Sequence, residues 1–323
     1  MIVRLLKSLS LALALVFLSH SAIAQTYPNR PVRLVVAFPA GGPTDIVARL
    51  VADQLSKTWG QPVIVDNRSG ASGMIGAEFA AKSAPDGYTI FMGTLVNNVM
   101  AHLLFAKVPF APDAFAPVTL LTTTSNMLLV NASIPAATLQ ELVAYAKANP
   151  GKVSYSSAGV GLSGHLGMEL FASAAGLDLL HVPFRGSAPA TQAFQGGQVN
   201  LTLELVPSAV TAVKTAGVKP LAVAAVSRVR QFPDVPTFVE LGYKNVQAYT
   251  WNGLMVPSGT PREVIDTIQR AARAALNASA VRERLNGLGV DAIGGTAEEF
   301  AELIRTERER WGPVIKRANI RAN

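Results

Sequence analysis

Apolar and polar positions alternate along this chain in a repeating order of short apolar run, small-residue turn and amphipathic stretch. Leu34 to Phe38 is apolar and ends at Pro39, as a buried parallel strand does. Pro39-Ala-Gly-Gly42 is rich in conformational breakers and reads as a tight turn. Gly42 suits an N-cap, Pro43 the first helical position and Asp45 the third, and Val47, Leu50, Val51 and Leu55 continue at helical spacing to about Trp59. The same plan returns at Val153 to Ser156, followed by Ser157-Ala158-Gly159-Val160-Gly161 and a helix through His165 to about Ala175.

Other segments follow the same grammar. Strands are expected at Val63–Asn67, Tyr88–Gly93, Leu180–Pro183, Val199–Leu205, Pro220–Val226 and Leu254–Val256. Helices are expected at Met74–Ser83, Pro135–Asn149, Ala190–Phe194, Ser208–Ala216, Pro261–Leu276, Val281–Leu288 and Ala297–Ala318. Two extended segments, Phe115–Thr124 and Met127–Asn131, are separated by the polar run Thr122 to Asn126. That run and a second passage at 247–251 read as crossings between two lobes. The pattern is α/β, with a sheet flanked by helices in each lobe.

The first 24 residues stand outside this grammar. Arg4 and Lys7 precede an apolar core, Leu9 to Leu18, and Ala22-Ile23-Ala24 is an A-x-A cleavage site. This is a secretory signal with cleavage expected after Ala24, which points to the periplasm. With no cysteine in the chain, lipid anchoring at the cleavage site and disulfides are both excluded. The net charge of +7 falls on removal of Arg4 and Lys7 but stays basic. No Lys/Arg cluster interleaved with aromatics suggests nucleic acid.

Chemistry concentrates where strands end. Gly41, Gly42, Gly159 and Gly161 precede helices, where backbone N–H groups can meet an anion and a missing side chain admits it. Asp45 either belongs to such a site or caps its helix and pairs with Arg49. Thr94 ends the third strand; Asn97 and Asn98 behind it contact a ligand or start a helix. His165 faces a ligand or its own lobe, and His181, inside an apolar strand, reads as a core histidine. Glu204, late in an apolar strand, needs either a ligand's donor or a nearby Arg or Lys. Gly159, Gly161 and Gly164 match G-x-G-x-x-G, but the next strand ends in Phe184-Arg185 without the ribose-binding acid, so no nucleotide cofactor is expected. Gly161-Leu-Ser163-Gly-His165 departs from the G-x-S-x-G elbow, and there is no H-E-x-x-H. A secreted hydrolase is the weaker alternative, and neither catalytic nor metal-binding residues are assigned.

Tyr27-Pro-Asn-Arg-Pro31, Phe38-Pro-Ala-Gly-Gly-Pro-Thr-Asp45, Asp66-Asn-Arg68, Pro85-Asp-Gly-Tyr88, Gly159-Val-Gly161 with His165-Leu166, His181-Val-Pro183, Pro233-Asp-Val-Pro-Thr237 and Trp251-Asn-Gly253 occur in this order. In these the chain resembles the Bug-type substrate-binding receptors of tripartite tricarboxylate transporters. The resemblance implies a two-lobed periplasmic binding fold of the type II, Venus-flytrap kind. Lobe one would take 25–124 and 250–323, and lobe two 125–249. It implies a monomeric receptor without enzymatic activity that takes a small carboxylate and works with membrane transporter subunits, or else feeds a signalling system. It places ligand contacts at Ala40, Gly41, Gly42, Thr44, Asp45, Thr94, Ser157, Ala158, Gly159, Gly161, Phe184 and Glu204, with His165 beside them. Phe184-Arg185 stands where the family often has Tyr-Lys, and Glu204 near where it often has Asp, so the pocket differs from any one relative's.

Overall fold

The computed structural model describes residues 27–317 and 320–321; the signal segment and its cleavage site lie outside the described residues. Strands β1 (Val32–Val36), β2 (Val63–Asn67) and β3 (Thr89–Thr94) run parallel, with β1 in the middle. β9 (Tyr249–Pro257) lies antiparallel to β3 and to the first part of β4 (Phe115–Val130). The last part of β4 pairs with β7 (Leu201–Leu205) and β8 (Lys219–Val223), and β5 (Val153–Ser157) joins β7 and β6 (Leu179–Pro183) in parallel. The continuous order is β2-β1-β3-β9-β4-β7-β5-β6, with the short β10 (Asp291–Ala292) against Thr122–Thr123. This is a mixed α/β fold in two lobes.

β4 departs from the expectation of two segments with a polar interruption. It is one strand of 16 residues. Phe115 to Ser125 pairs with β9, and Asn126 to Val130 with β7 and β8. The polar run is accommodated in part because Thr122 and Asn126 meet polar partners. The Asn252 amide donates to Thr122 Oγ1 at 3.1 Å, and the Asn126 amide donates to the Leu203 carbonyl at 3.0 Å. Beside this point the Asn126 N–H donates to the Ala248 carbonyl, and the Ala248 N–H to Ala224.

Helices cover both faces of each half. α1 (Pro43–Trp59), α8 (Arg262–Asn277) and α9 (Ser279–Gly287) bury Val47, Val51, Leu55, Ile268 and Leu285 against Leu34, Ile90 and Met92. On the other face lie α2 (Met74–Ala81), α3 (Ala101–Leu104) and α10 (Ala297–Arg317), with Phe91, Trp251, Phe300 and Trp311. Glu307 of α10 is buried and satisfied, accepting from the Tyr249 hydroxyl and the Trp311 indole at 2.6 Å each. In the second half, α4 (Leu139–Ala148) and α5 (Ser163–Ala175) cover Leu128, Tyr155 and Leu203, while α6 (Ser187–Gln195) and α7 (Val206–Ala212) cover Met127, Leu129 and Val223.

Several helix starts differ from their sequence reading: Ser187, Val206 and Ser279 open helices expected from Ala190, Ser208 and Val281, and two further cases have a local cause. α4 begins at Leu139, not Pro135, because Thr138 and Glu141 form a reciprocal capping box. Pro261 is the N-cap of α8, with an extended ψ of 139°, not its first helical residue. No described helix is long and apolar enough to cross a membrane.

Candidate functional site

The parallel strands β1 and β3 end close together, Val36 at the end of β1 lying opposite Met92, two residues before β3 ends. Ala40, Gly41, Gly42 and Thr44 therefore sit at the same end of the sheet as Thr94. In the other half, Ser156 lies opposite Thr202 and Ser157 opposite Pro183. That register brings Ser157, Ala158, Gly159 and Gly161 to one end with Phe184 and Glu204. Open α/β sheets bind ligands at this carboxyl end. The two ends approach each other: Ala37, Leu95, Leu104, Trp251 and Leu166 share one apolar cluster. Gly161, at φ +78°, lets Leu104 lie against it; a Cβ there would fall 2.0 Å from Leu104 Cδ1.

The first turn is closed by a carboxylate. Asp45 is buried, and its Oδ2 accepts the Gly41 N–H and Arg49 Nε, each at 2.8 Å. Its Oδ1 accepts the Asn67 amide at 2.9 Å, while that amide also reaches the Phe38 carbonyl. Burial pushes the Asp45 carboxyl upward, but the hydrogen bonds from Arg49, Gly41 and Asn67 outweigh it and hold the pKa below its ordinary value. Asp45 is thus engaged entirely inside its own lobe.

The second turn is closed by an imidazole. The Gly161 N–H donates to His165 Nδ1 at 3.0 Å, which puts that ring's proton on Nε2, 3.9 Å from Glu169 Oε1. His165 stacks on His181 with centroids 3.9 Å apart, and His181 stacks on Tyr155 at 4.8 Å. His181 Nε2 lies 2.7 Å from Ser157 Oγ, and the Tyr155 hydroxyl donates to Glu169 at 2.6 Å. Burial pushes His165 down to about 3, with His181 adding to it, and burial pushes His181 down to about 4. Both imidazoles are neutral at neutral pH.

Each of the four turn glycines already donates within the chain: Gly41 to Asp45, Gly42 to the Pro39 carbonyl at 3.4 Å, Gly159 to Ser157 Oγ at 3.3 Å and Gly161 to His165. Their N–H groups serve first to shape the turns. Phe184 and Glu204 occupy the opposite face of the sheet from His165. Phe184 packs with Met127, Val206 and Ala209, and Glu204 lies opposite Met127. Among the described residues Glu204 has neither an Arg nor a Lys partner; burial pushes its carboxyl up to about 7, against hydrogen bonds from Ser208 and Leu205.

The sequence reads Asn97 as either a ligand contact or a helix start. It is the second residue of a π-helical turn, Val96–Met100, and is fully buried. Its Oδ1 accepts the Thr94 N–H at 2.8 Å and the Asn98 amide at 2.6 Å. Asn97 Nδ2, Thr94 Oγ1 and Ser156 Oγ are buried with no hydrogen-bond partner. Two surface cavities lie away from these turns. One, of about 590 Å³, is lined by Arg30, Arg33, Asp66, Phe79, Asp86 and Tyr88 among others, and its charges already pair as Arg30–Asp86 and Arg33–Asp66. The other, of about 580 Å³, is an open hollow over His102 and Phe105–Pro112. The described residues hold no cluster of three metal-ligating side chains.

Comparison with known proteins converges on one family. The family profile described as "Tripartite tricarboxylate transporter family receptor" matches residues 47–320. A protein encoded in the tcbD-tcbE intergenic region of Pseudomonas sp. (strain P51) is 37% identical over 316 residues, covering 96% of this chain and 94% of its own. Protein BugT of Bordetella pertussis is 33% identical over 315 residues, covering 97% of each. Among solved structures, R. palustris Rpa4515 with adipate aligns with a TM-score of 0.81 at 33% identity, covering 91% of this chain and 99% of that one. MatC (Rpa3494) from Rhodopseudomonas palustris with bound malate aligns at 0.76 and 36% identity, covering 90% and 100%. The family's solved members include periplasmic solute-binding proteins. On this evidence the chain belongs to the tripartite tricarboxylate transporter receptor family.

Proposed function

We propose that this protein is a periplasmic receptor that closes on a small carboxylate and delivers it to membrane transporter subunits. The observation that carries the reading is the pairing of two strand-glycine-helix turns at facing strand ends, in a fold whose relatives hold adipate and malate. The ligand contacts come from Ala40 to Thr44, Thr94, Ser157 to Gly161 and, from the far face, Phe184 and Glu204. Asp45 and His165 act by holding the turns in shape. The lobes are 25–124 with 250–323, and 125–249. The change of partner along β4 between Ser125 and Asn126, and the start of β9 at Tyr249, support these bounds. A ligand that touches both lobes favours the closed state by its differential affinity.

A thermal-shift panel of carboxylates that includes malate and adipate tests the reading. A ligand at 100 times its Kd adds about 2.7 kcal/mol of stability. The ligand is recovered chemically unchanged, and uptake into vesicles carrying the family's membrane subunits depends on the receptor. Absence of any shift across the panel, or consumption of the ligand, overturns it.

A further inference from the structure

Two unpaired polar groups stand where β3 ends, the Thr94 hydroxyl and the Asn97 amide. Thr94 lies on the same face of the sheet as α1, because Ile90 and Met92, four and two residues before it, pack into that helix's core. Asn97 follows one turn later and is tied back to Thr94 by the bond from the Thr94 N–H to Oδ1. The Asn97 amide cannot be turned round. Its oxygen accepts from two N–H donors, and a flip would set three donors against one another. Nδ2 is therefore fixed as a donor, and it has no partner in the chain. It lies beside Gly73, next to Ala37 and Phe38 at the end of β1. A Cβ on Gly73 would stand 3.4 Å from Asn97 Nδ2, 3.3 Å from Ala37 Cβ and 3.4 Å from Phe38 Cζ. A fully buried amide donor left unpaired is costly, and a solute atom or a water supplied from outside the chain would complete it.

We infer that Asn97 Nδ2 binds an oxygen acceptor of the solute in lobe one, and so selects a ligand with an acceptor rather than an ammonium at that end. This rests on the cleft reading above and narrows it to solutes that carry a second oxygen group, dicarboxylates above all. An amide whose oxygen is saturated offers a solute N–H₂ donors only, so an ammonium placed there meets like polarity. Asn97 is a specificity-determining contact, and Asn98 is its positioning partner, since the Asn98 amide also holds the Thr94 carbonyl at 3.1 Å.

Calorimetry with adipate, and with the analogue in which one of its carboxylates is replaced by an amine, tests the assignment. Wild-type protein prefers adipate. Asn97→Asp keeps the oxygen that accepts the Thr94 N–H but puts a carboxylate where the donor was. It weakens adipate at least about 100-fold, beyond the loss of one charged-group hydrogen bond, and erases or reverses the preference over the amine. Thr94→Val weakens adipate roughly 10-fold. Both variants keep the circular-dichroism spectrum of the wild type. Unchanged adipate affinity in Asn97→Asp, or an equal loss for both ligands, makes the role structural only and overturns the inference. A crystal structure of the wild type with whatever solute it retains from the cell gives a second readout that does not depend on adipate binding. An acceptor oxygen of that solute, or a water bridging to it, about 3 Å from Asn97 Nδ2 supports the inference even if the carboxylate reading fails. A solute seated in the cleft with Asn97 Nδ2 untouched overturns it even if the carboxylate reading stands.

Discussion

At the Pro39–Asp45 turn, a buried carboxylate takes the glycine N–H and is neutralised by Arg49; at the Ser157–His165 turn, a neutral imidazole takes it and is backed by a second imidazole and a phenol. The backbone problem is the same in both places. A strand ends, a left-handed glycine turns the chain, and the side chain four residues on reaches back to accept that glycine's N–H. Gly41 has φ +79° and Gly161 +78°. The chemistry of the clasp sets what each turn responds to. A carboxylate clasp gathers several donors and is costly to delete. An imidazole clasp is an acceptor only while neutral, so it is tied to pH.

Deleting the carboxylate is the largest expected effect. Asp45→Ala leaves the Gly41 N–H and the Asn67 amide short of an acceptor and costs roughly 2–5 kcal/mol in denaturant unfolding. A loss below 1 kcal/mol shows that the turn holds without its clasp. The paired glycines come next. Gly161→Ala is strained by its positive φ and by Leu104, and loses about 2–3 kcal/mol.

Acid separates the two clasps. Both imidazoles have folded pKa values below the ordinary 6.5. Their contribution is complete above that value and is lost as pH falls toward 4. The Asp45 carboxyl is held below its ordinary 3.8, so the first clasp survives that window. Each unit of depression that His165 retains is worth about 1.4 kcal/mol. Glu204 works in the opposite sense. Its raised pKa adds stability that is complete below about 4.5 and fades as pH rises through 7. Melting temperature should therefore fall between pH 6.5 and 4.5, more steeply in Glu204→Gln and less steeply in His165→Gln. Equal slopes in all three proteins refute the assignment. The smallest effect is Gly41→Ala. No heavy atom stands within 4 Å of a Cβ there, so only the left-handed backbone resists, at roughly 1 kcal/mol. If Gly41→Ala costs as much as Gly161→Ala, the contact with Leu104 contributes nothing.

The sequence made most of this legible because local rules sufficed. Gly42, Pro43 and Asp45 take the N-cap, first and third helical positions assigned to them, and α1 ends at Trp59 before a left-handed Gly60. Asp45 makes its pairing with Arg49, and His165 stacks on His181 of its own lobe. Where reading failed, the partner was distant in sequence. Thr122 to Asn126 looked like an interruption because a polar run breaks an apolar strand, unless Asn252 and Leu203 are there to satisfy it. β10 is two residues long and carries no periodicity of its own. Asn97 showed a turn preference and nothing of its fixed orientation.

The chain alone determined its α/β alternation, its two strand-glycine-helix turns and the residues available at them, because periodicity, proline and glycine act over a few residues. It also carried the motifs of its family. The tertiary structure decided which sheet face Glu204 and His165 occupy, where β4 changes partners, and which buried donors remain unpaired. Those outcomes depend on groups tens to more than a hundred residues apart meeting at hydrogen-bond distance, and no local pattern encodes a contact between residues that only the folded sheet brings together.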